Sequence, residues 1–249
     1  MCFAFVLLAG GALDNHENTC HTQESCQEAV SHFTKHSPRG GLDVLFNCAG
    51  MLVNGPFAEA PLPKTLAQIH VNLTGLVTLT HAALPHLRIT AQATATDGAA
   101  PLPGRTRVVN MCSTASMHGI PFEGVYSATK AGVRAVTEAW ALEWEHDKSG
   151  VGSFDVTVPL VRTPMLMNQD ASGNANIVGM AADDAWISPE SVTEVVWEAC
   201  HADPGETVHV YHTTWEKTYQ QVNFLRTFFG DRAAMGIIRA GCIIPDAAT

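Results

Sequence analysis

The chain has 249 residues, of which 46% are hydrophobic and 15% are charged, a composition typical of a globular protein with a substantial core. Its formal net charge of −10 argues against nucleic acid or an anionic membrane as a partner. The seven cysteines are an odd number without metal-like spacing, which favours a reducing compartment. We therefore expect a cytoplasmic location.

The chain opens on an apolar stretch, MCFAFVLLAGGALD, which invites comparison with a signal peptide. The stretch has no basic start and no small-x-small cleavage pattern before Asp14, so a buried strand is the favoured interpretation. No apolar run in the sequence reaches the length of a membrane span.

Short apolar runs alternate with longer helical patterns in chain order. The predicted strands cover residues 2–10, 42–50, 106–113, 154–161 and 207–212. The predicted helices lie near residues 23–37, 63–87, 124–147, 188–202 and 214–229. The strand candidates are apolar on both faces, as in a parallel sheet covered by helices on both sides. This alternation predicts a single α/β domain over 1–249, Rossmann-like and doubly wound around a mostly parallel sheet.

Two segments between these elements are predicted to be loops. Residues 89–105 are poor in bulky side chains and rich in Ala, Thr, Gly and Pro, which indicates a surface loop rather than a domain linker. Residues 165–187 follow the carboxyl end of a predicted strand. Because α/β folds bind ligands at that edge of the sheet, we expect the second loop to lie near a site.

The stretch GVYSATKAGVRA contains Tyr126, one of only three tyrosines, and Lys130 four residues later. Residues four apart share one helix face, so the two side chains can reach one site. A nearby ammonium favours the phenolate, which predicts a Tyr126 pKa lowered from its usual value of about 10. Such a phenol suits proton transfer to a carbonyl or from an alcohol, although a solvated surface pair has the same spacing.

Further polar and small residues stand where predicted strands end. Ser113 ends the strand before the Tyr126 helix, where its hydroxyl can donate to the same oxygen or simply cap a loop. The small residues of FNCAG allow a flat ligand to approach the backbone closely. Asn72 lies inside a predicted helix, an unfavourable position for asparagine, where local hydrogen bonding is the common explanation.

In order and spacing, the set NCAG, a helical Asn, Ser, Tyr-x-x-x-Lys and TPM resembles the short-chain dehydrogenase/reductase family. The resemblance runs from about Asp14 to about Tyr211. It implies NAD- or NADP-dependent interconversion of a ketone or aldehyde and an alcohol by hydride transfer.

The resemblance also implies roles for particular residues. Tyr126 would be the general acid and base, and Ser113 would hold the substrate oxygen. Lys130 would lower the pKa of Tyr126 and bind the nicotinamide ribose, and Asn72 would hold a water of the proton relay. The residues implied to bind the cofactor are Asp14, Asn47, Ala49, Gly50, Tyr126, Lys130, Pro159, Val161 and Thr163.

The chain departs from the family pattern at its start. The family's Gly-rich turn has no counterpart, because LLAGGALD lacks the third glycine and the spacing. Matched to the family, Met1 falls near the third strand, so the fold is predicted to be N-terminally truncated, with two strands absent. The strand at 2–10 then either pairs directly beside 42–48 or lies apart with its neighbours missing. We expect weaker dinucleotide binding than in a complete member.

Two smaller departures concern the segments around the expected cofactor. The sequence NCAG replaces the usual paired asparagines, which is a mild change. Val158 and Pro159 stand where the family usually has Pro-Gly, which predicts altered backbone contacts to the nicotinamide.

Other candidate sites are weaker. His32 and His36 have helical i,i+4 spacing, and the nearby Cys20, His21 and Cys26 suggest a metal site, but no second ligand pair follows. A metal is therefore not the favoured interpretation. The thiol beside Ser113, that of Cys112, has no base near it in sequence and is expected to be structural. Trp140 and Trp144 are expected to form a packing stripe or, as a second interpretation, a subunit contact.

We therefore predict an NAD(P)-dependent oxidoreductase that acts on a small carbonyl or alcohol substrate. The expected assembly is a homodimer or homotetramer through the helices carrying Asn72 and Tyr126. One alternative is a catalytically silent or truncated family remnant that serves as a partner subunit. A metal-dependent hydrolase is a third, less favoured interpretation.

Overall fold

The computed structural model describes residues 22–37, 41–96, 106–167, 186–203 and 207–212, together with the backbone of residues 3–6. The strands are β1 (Phe3–Val6), β2 (Val44–Asn47), β3 (Thr106–Met111), β4 (Val151–Thr157), β5 (Leu160–Val161), β6 (Trp186–Ile187) and β7 (His209–Tyr211). The α-helices are α1 (Gln23–His36), α2 (Leu62–Ile69), α3 (Gly75–Thr96), α4 (Gly124–His146), α5 (Pro164–Met167) and α6 (Pro189–Ala199). The helix predicted at 214–229 lies outside the described residues.

Five parallel strands form the main sheet in the order β1-β2-β3-β4-β7, and β5 pairs with β6 in a separate two-stranded sheet. Strand β1 pairs directly with β2, with Phe3 opposite Val44 and Val6 opposite Asn47. Of the two positions considered for this strand, the structure therefore has the direct pairing. Direct pairing satisfies the backbone groups along this edge of β2.

Successive residues of the central strands face opposite sides of the sheet, and both sides are buried. Leu45 and Val108 pack with α1, α3 and the end of α4, whereas Val44 and Val109 pack with α6. This two-sided burial explains why the strands are apolar without alternation. It confirms the prediction of a doubly wound, parallel α/β sheet.

The helices begin where the sequence supplies capping groups. The Thr22 hydroxyl accepts from the backbone N–H of Ser25 at 3.1 Å, and the Ser25 hydroxyl accepts from the Thr22 N–H at 3.2 Å. Helix α6 begins with Ser188 as its N-cap and Pro189 at its first position, a combination that favours a helix start.

Helix α3 is longer than predicted, because residues up to Thr96 are helical although 89–105 were expected to be a loop. Tertiary contacts account for the extension. The Thr90 hydroxyl accepts from the backbone N–H of Leu42 at 3.0 Å, and Ala91 is buried in the core. The contacts of Thr90 and Ala91 outweigh the weak helix preference of the small residues in this segment. Strand β4 also differs from its prediction, because it begins three residues before the expected start at residue 154.

Arg107 fixes α6 to the sheet from inside the protein. Its side chain is 3% exposed, and Nη1 donates to the carbonyls of Ala199 at 2.9 Å and Ala202 at 3.0 Å. These carbonyls lie at the C-terminal end of α6, where backbone acceptors lack helical partners. None of the helices in the described ranges is both long and apolar enough to cross a lipid bilayer.

A ladder of buried amides and hydroxyls joins α3, β2, β3 and α4. The Asn47 amide donates to the Thr80 hydroxyl at 3.0 Å and to Asn110 Oδ1 at 2.8 Å. The Asn110 amide donates in turn to the Thr137 hydroxyl at 2.9 Å. This amide ladder sets the carboxyl ends of β2 and β3 against the two long helices.

Replacing Asn110 with Leu keeps the number and branching of the side-chain heavy atoms but removes two hydrogen bonds of the amide ladder. We expect the free energy of unfolding to fall by roughly 2–4 kcal/mol, because the Asn47 amide and the Thr137 hydroxyl each lose one hydrogen bond inside the core. Urea denaturation of both proteins measures the difference.

The matched control is Ser153→Ala in the neighbouring strand β4. The Ser153 hydroxyl is buried and has no hydrogen-bond partner among the described residues, so its removal is expected to leave the stability unchanged or slightly raised. Equal stabilities of Asn110→Leu and the unmodified protein would contradict the role given to the ladder.

Candidate active site

A cavity of about 280 Å³ opens at the carboxyl ends of β2, β3 and β4, the edge at which α/β folds bind ligands. It contains most of the residues that the sequence singled out. Those that line it are Gly50, Ser113, Tyr126, Lys130, Pro159, Val161 and Thr163. The sheet topology therefore brings together residues that are more than a hundred positions apart in sequence.

Tyr126 and Lys130 lie on one face of α4, as their spacing predicted. Lys130 is 4% exposed, and its ammonium nitrogen lies 5.7 Å from the centre of the Tyr126 ring. The ammonium donates to the carbonyl of Met111 at 2.9 Å, which ties α4 to the end of β3. The pair is therefore part of the cavity wall and not a solvated surface pair.

The predicted lowering of the Tyr126 pKa is not what the structure shows. Burial raises the pKa of Tyr126, the carboxylate of Glu123 raises it further, and a hydrogen bond with the Ser113 hydroxyl acts in the opposite direction. Burial also lowers the pKa of Lys130. Desolvation and a neighbouring negative charge both disfavour the phenolate, and the sequence spacing alone did not include them.

Ser113 follows β3 in an extended conformation and has the capping role considered for it, while its donation to a substrate oxygen stays a prediction. Its hydroxyl accepts from the backbone N–H of Ala115 at 3.2 Å and thereby caps the short 3₁₀ turn Thr114–Ser116. The same hydroxyl hydrogen-bonds with Tyr126 across the cavity. The cap thus orients a donor toward the phenol.

Asn72 lies in a π-helical turn, His70–Thr74, between α2 and α3. Its Oδ1 accepts from the backbone N–H of Met51 at 2.8 Å, and its amide donates to the Met51 carbonyl at 2.9 Å. The amide also donates to the Thr129 hydroxyl on α4 at 3.1 Å. The irregular turn and these three bonds explain why an asparagine is found inside a helix. The water-holding role implied for Asn72 stays a prediction.

Gly50 forms part of the cavity wall between Asn72 and Lys130. A Cβ atom at this position would lie 3.7 Å from Asn72 Oδ1, 3.8 Å from Met165 Cε and 3.9 Å from Lys130 Nζ. A side chain here would therefore occupy the space above the backbone that a flat ring needs. The residues present fit the nicotinamide end of a dinucleotide.

Two described residues implied to bind the cofactor do not line the cavity, and a third is not described. Asn47 is buried in the amide ladder, so its side chain has a positioning role. Ala49 lies between the lining residues Cys48 and Gly50 but is not itself part of the wall. Asp14 lies outside the described residues.

The other candidates identified in the sequence are structural in the described residues. The thiol of Cys112 is 1% exposed, and burial raises its pKa, as expected of an inert thiol. Trp140 and Trp144 stack with ring centres 5.6 Å apart and pack into the core, which confirms the packing stripe. The subunit contact stays a prediction. In the described ranges, no three His, Cys, Asp or Glu side chains form a metal-binding group; Cys20 and His21 lie outside these ranges.

The sequence interpretation missed Glu123, which also lines the cavity. It precedes Tyr126 by three residues, so the same-face spacing that identified Lys130 could have identified it. Its side chain is half-buried, and burial raises its pKa from 4.5 to about 7. Cys48, the second residue of NCAG, also lines the cavity and was missed as well; burial raises the pKa of its thiol.

Glu123 is expected to make stability fall as the pH rises. Its folded-state pKa of about 7 exceeds the ordinary value of 4.5, so the folded state holds the proton more tightly than the unfolded state does. The resulting cost develops from about pH 4 to about pH 8 and has an upper limit of roughly 3 kcal/mol, reduced by the partial exposure of the side chain. Glu123→Gln should therefore be more stable than the unmodified protein at the upper end of this range and equal at the lower end, as measured by urea denaturation.

The control for this pH series is Glu190→Gln. Backbone and Ser188 hydrogen bonds lower the pKa of Glu190, which is fully exposed, so this substitution should show the opposite trend with pH. A Glu123→Gln stability difference that does not change with pH would contradict the raised pKa of Glu123.

Comparison with known proteins gives consistent matches. A model of the short chain dehydrogenase family matches residues 16–174. A 3-ketodihydrosphingosine reductase of Bacteroides thetaiotaomicron is 33% identical over 153 residues, which are 61% of this chain and 48% of that protein. The ketoacyl reductase HetN of a Nostoc species is 35% identical over 104 residues, which are 42% of this chain and 32% of that protein. The chain thus matches about half or less of the length of these relatives.

Among solved structures, a gluconate 5-dehydrogenase from Burkholderia cenocepacia, in complex with NADP and tartrate, superimposes with a TM-score of 0.62. The match covers 80% of this chain and 73% of that one at 16% sequence identity, so it shows a common fold. The family model covers well over half of the chain. Together with the motifs at the cavity, it shows that the chain belongs to the short chain dehydrogenase family of oxidoreductases.

Proposed function

We infer that the chain interconverts a ketone or aldehyde and the corresponding alcohol, with NAD or NADP as the hydride carrier. The observation that carries this proposal is the meeting of Ser113, Tyr126 and Lys130 in one cavity beside the open wall at Gly50. Hydride transfer to a carbonyl leaves an alkoxide, which needs aimed donors and one proton. The hydroxyl groups of Ser113 and Tyr126, which hydrogen-bond to each other, supply these donors and the proton.

In this proposal, the residues of the chain hold the substrate oxygen and move one proton. The Ser113 hydroxyl donates to the carbonyl oxygen and keeps it next to the phenol. Tyr126 then transfers its proton to the oxygen as negative charge develops there. The ammonium of Lys130 provides a positive charge 5.7 Å from the phenol ring, and the amide of Asn72 fixes the loop that carries Gly50.

A dinucleotide would supply the hydride, and the cavity offers a place for its nicotinamide end. In this proposal Lys130 would hold a ribose hydroxyl, and the wall around it includes Gly50, Pro159, Val161 and Thr163. The gluconate 5-dehydrogenase from Burkholderia cenocepacia is in complex with NADP, which supports a nicotinamide cofactor for this chain. The proposal includes both NAD and NADP.

The raised pKa of Tyr126 keeps the phenol in the protonated form that carbonyl reduction uses. Reduction needs a protonated phenol as donor, and burial and Glu123 keep the phenol protonated. Oxidation needs a phenolate as base, which the same surroundings disfavour. Two relatives bear reductase names, with 3-ketodihydrosphingosine and ketoacyl groups as the named keto compounds. Their names agree with ketone reduction as the main activity.

Tyr126→Phe tests the proton donor. In protein saturated with NADH or NADPH, we expect kcat for ketone reduction to fall roughly 10²–10⁴-fold, because general acid catalysis is lost. The affinity for the dinucleotide should stay nearly unchanged, as measured by nicotinamide fluorescence.

Lys130→Ala is the matched comparison on the next turn of α4. It should lower both kcat and dinucleotide affinity, because the ribose contact and the charge beside Tyr126 are lost together. A Tyr126→Phe protein that turns over near the unmodified rate would contradict the assignment. Dinucleotide binding without any turnover in the unmodified protein would favour the alternative of a catalytically silent partner subunit.

Gly50→Ala tests the open wall of the cavity. The added Cβ makes only ordinary contacts of 3.7–3.9 Å with its neighbours, so we expect unchanged folding. It should weaken nicotinamide binding roughly tenfold, since one extra methyl group in a close contact costs about 1–3 kcal/mol. Fluorescence titration measures the affinity.

Gly119→Ala is the control for that titration. A Cβ at Gly119 would meet no atom within 4 Å, so binding should remain as in the unmodified protein. Equal affinities for Gly50→Ala and Gly119→Ala would contradict the placement of the nicotinamide ring against Gly50.

A further inference from the structure

The carboxylate of Glu123 has no evident structural task. The residue is the N-cap of α4, but its side chain makes no capping hydrogen bond. Its backbone N–H donates to the carbonyl of Ile120 at 3.1 Å, and its own carbonyl accepts from the N–H of Ser127 at 2.8 Å. The backbone is therefore held firmly while, within the described part of the chain, the carboxylate pairs with no cation or donor.

An unpaired carboxylate in this position is costly in two ways. Among the described residues that line the cavity, Glu123 is the only acidic one, and the rest of that lining is mostly apolar. Removing a carboxylate from water without a partner is unfavourable, and burial accordingly raises its pKa to about 7. Its charge also raises the pKa of Tyr126. A positive charge placed beside Glu123 would relieve both costs.

Along α4, the cavity has a negatively charged residue, Glu123, at one end and a positively charged residue, Lys130, at the other. Glu123, Tyr126 and Lys130 follow one another at i, i+3 and i+7, so they lie on one face of the helix. The two charged ends are about 10 Å apart along the axis, with the phenol between them. Lys130 already donates to the Met111 carbonyl. A cation that binds at the Glu123 end is therefore well separated from the Lys130 ammonium and adjacent to the reacting oxygen.

We propose that Glu123 binds a protonated amine on the substrate and so selects carbonyl compounds that carry an ammonium group within two or three bonds of the carbonyl. This inference rests on the proposed function, because it takes Tyr126 and Ser113 as the groups that hold the carbonyl oxygen. In the bound state, the ammonium neutralises Glu123. The phenol of Tyr126 then no longer faces an uncompensated negative charge while it transfers its proton.

Binding of two alcohols of equal shape tests the amine site without any cofactor. The probes are the alcohol obtained by reduction of dimethylaminoacetone, which is cationic, and that obtained from isobutyl methyl ketone, its neutral isostere. At about pH 8, where Glu123 is largely ionised, we expect the amino alcohol to bind the full chain at least roughly tenfold more tightly, as is usual for a close charge pair. Ligand-observed NMR titration measures both dissociation constants.

Glu123→Gln should bring the ratio of the two dissociation constants to about one, whereas Glu190→Gln, on α6 and fully exposed, should retain the preference for the amino alcohol. Equal affinities for the two alcohols in the unmodified protein would overturn the inference. A preference for the amine that survives Glu123→Gln would overturn it as well, because the cation would then be held elsewhere.

Reduction of the two parent ketones separates this inference from the proposed function. We expect kcat/KM for dimethylaminoacetone to exceed that for isobutyl methyl ketone by a similar factor in the unmodified protein, and the ratio of the two values to fall to about one in Glu123→Gln. Reduction of both ketones with equal kcat/KM would overturn the amine selectivity and leave the proposed reaction standing. Glu123-dependent binding of the amino alcohol without reduction of either ketone would support the amine site and overturn the proposed reaction.

Discussion

The buried amide ladder is the interaction on which the arrangement of the site depends. Asn47 and Asn110 are neighbours on adjacent parallel strands, and their side chains connect to each other and to α3 and α4. Inside a low-dielectric core, an amide with satisfied hydrogen bonds has few alternative positions, because any shift leaves a polar group unpaired. The ladder therefore fixes where α4 lies relative to the ends of β2 and β3. The phenol and the ammonium of the cavity are carried by that helix.

A second set of polar bonds positions the loop after β2. Asn72 holds both backbone groups of Met51, and Gln68, one turn earlier, accepts from the N–H of Val53. The π-helical turn His70–Thr74 is the irregularity that accompanies this arrangement. Wider turns of this kind are costly within a helix and occur frequently at functional sites. Here the irregular turn places the amide that shapes the wall at Gly50.

Burial affects the pKa values of Tyr126 and Lys130 more than neighbouring charges do. Lys130 is buried and bonded to a backbone carbonyl, so its charge is held in place rather than solvated. Glu123 precedes Tyr126 by three residues, and its carboxylate raises the pKa of the phenol. A cationic ligand that neutralised Glu123 would therefore lower the proton affinity of the phenol. In the proposed amine site, the charge of the substrate would in this way affect proton transfer from Tyr126.

The sequence by itself determined the class of the fold and most of the candidate site. Two-sided apolar strands alternating with helices require a covered parallel sheet, and the spacing of Tyr126 and Lys130 places both on one helix face. The strand pattern and the Tyr126–Lys130 spacing are local features, so they do not depend on how the loops are arranged. Only the tertiary structure decided the direct pairing of β1 with β2, the length of α3 and the role of Asn47 in the ladder. Those outcomes depend on contacts between residues far apart in sequence, such as Thr90 with Leu42. The sign of the Tyr126 pKa shift was decided in the same way, because burial and the approach of Glu123 exist only once the chain has folded.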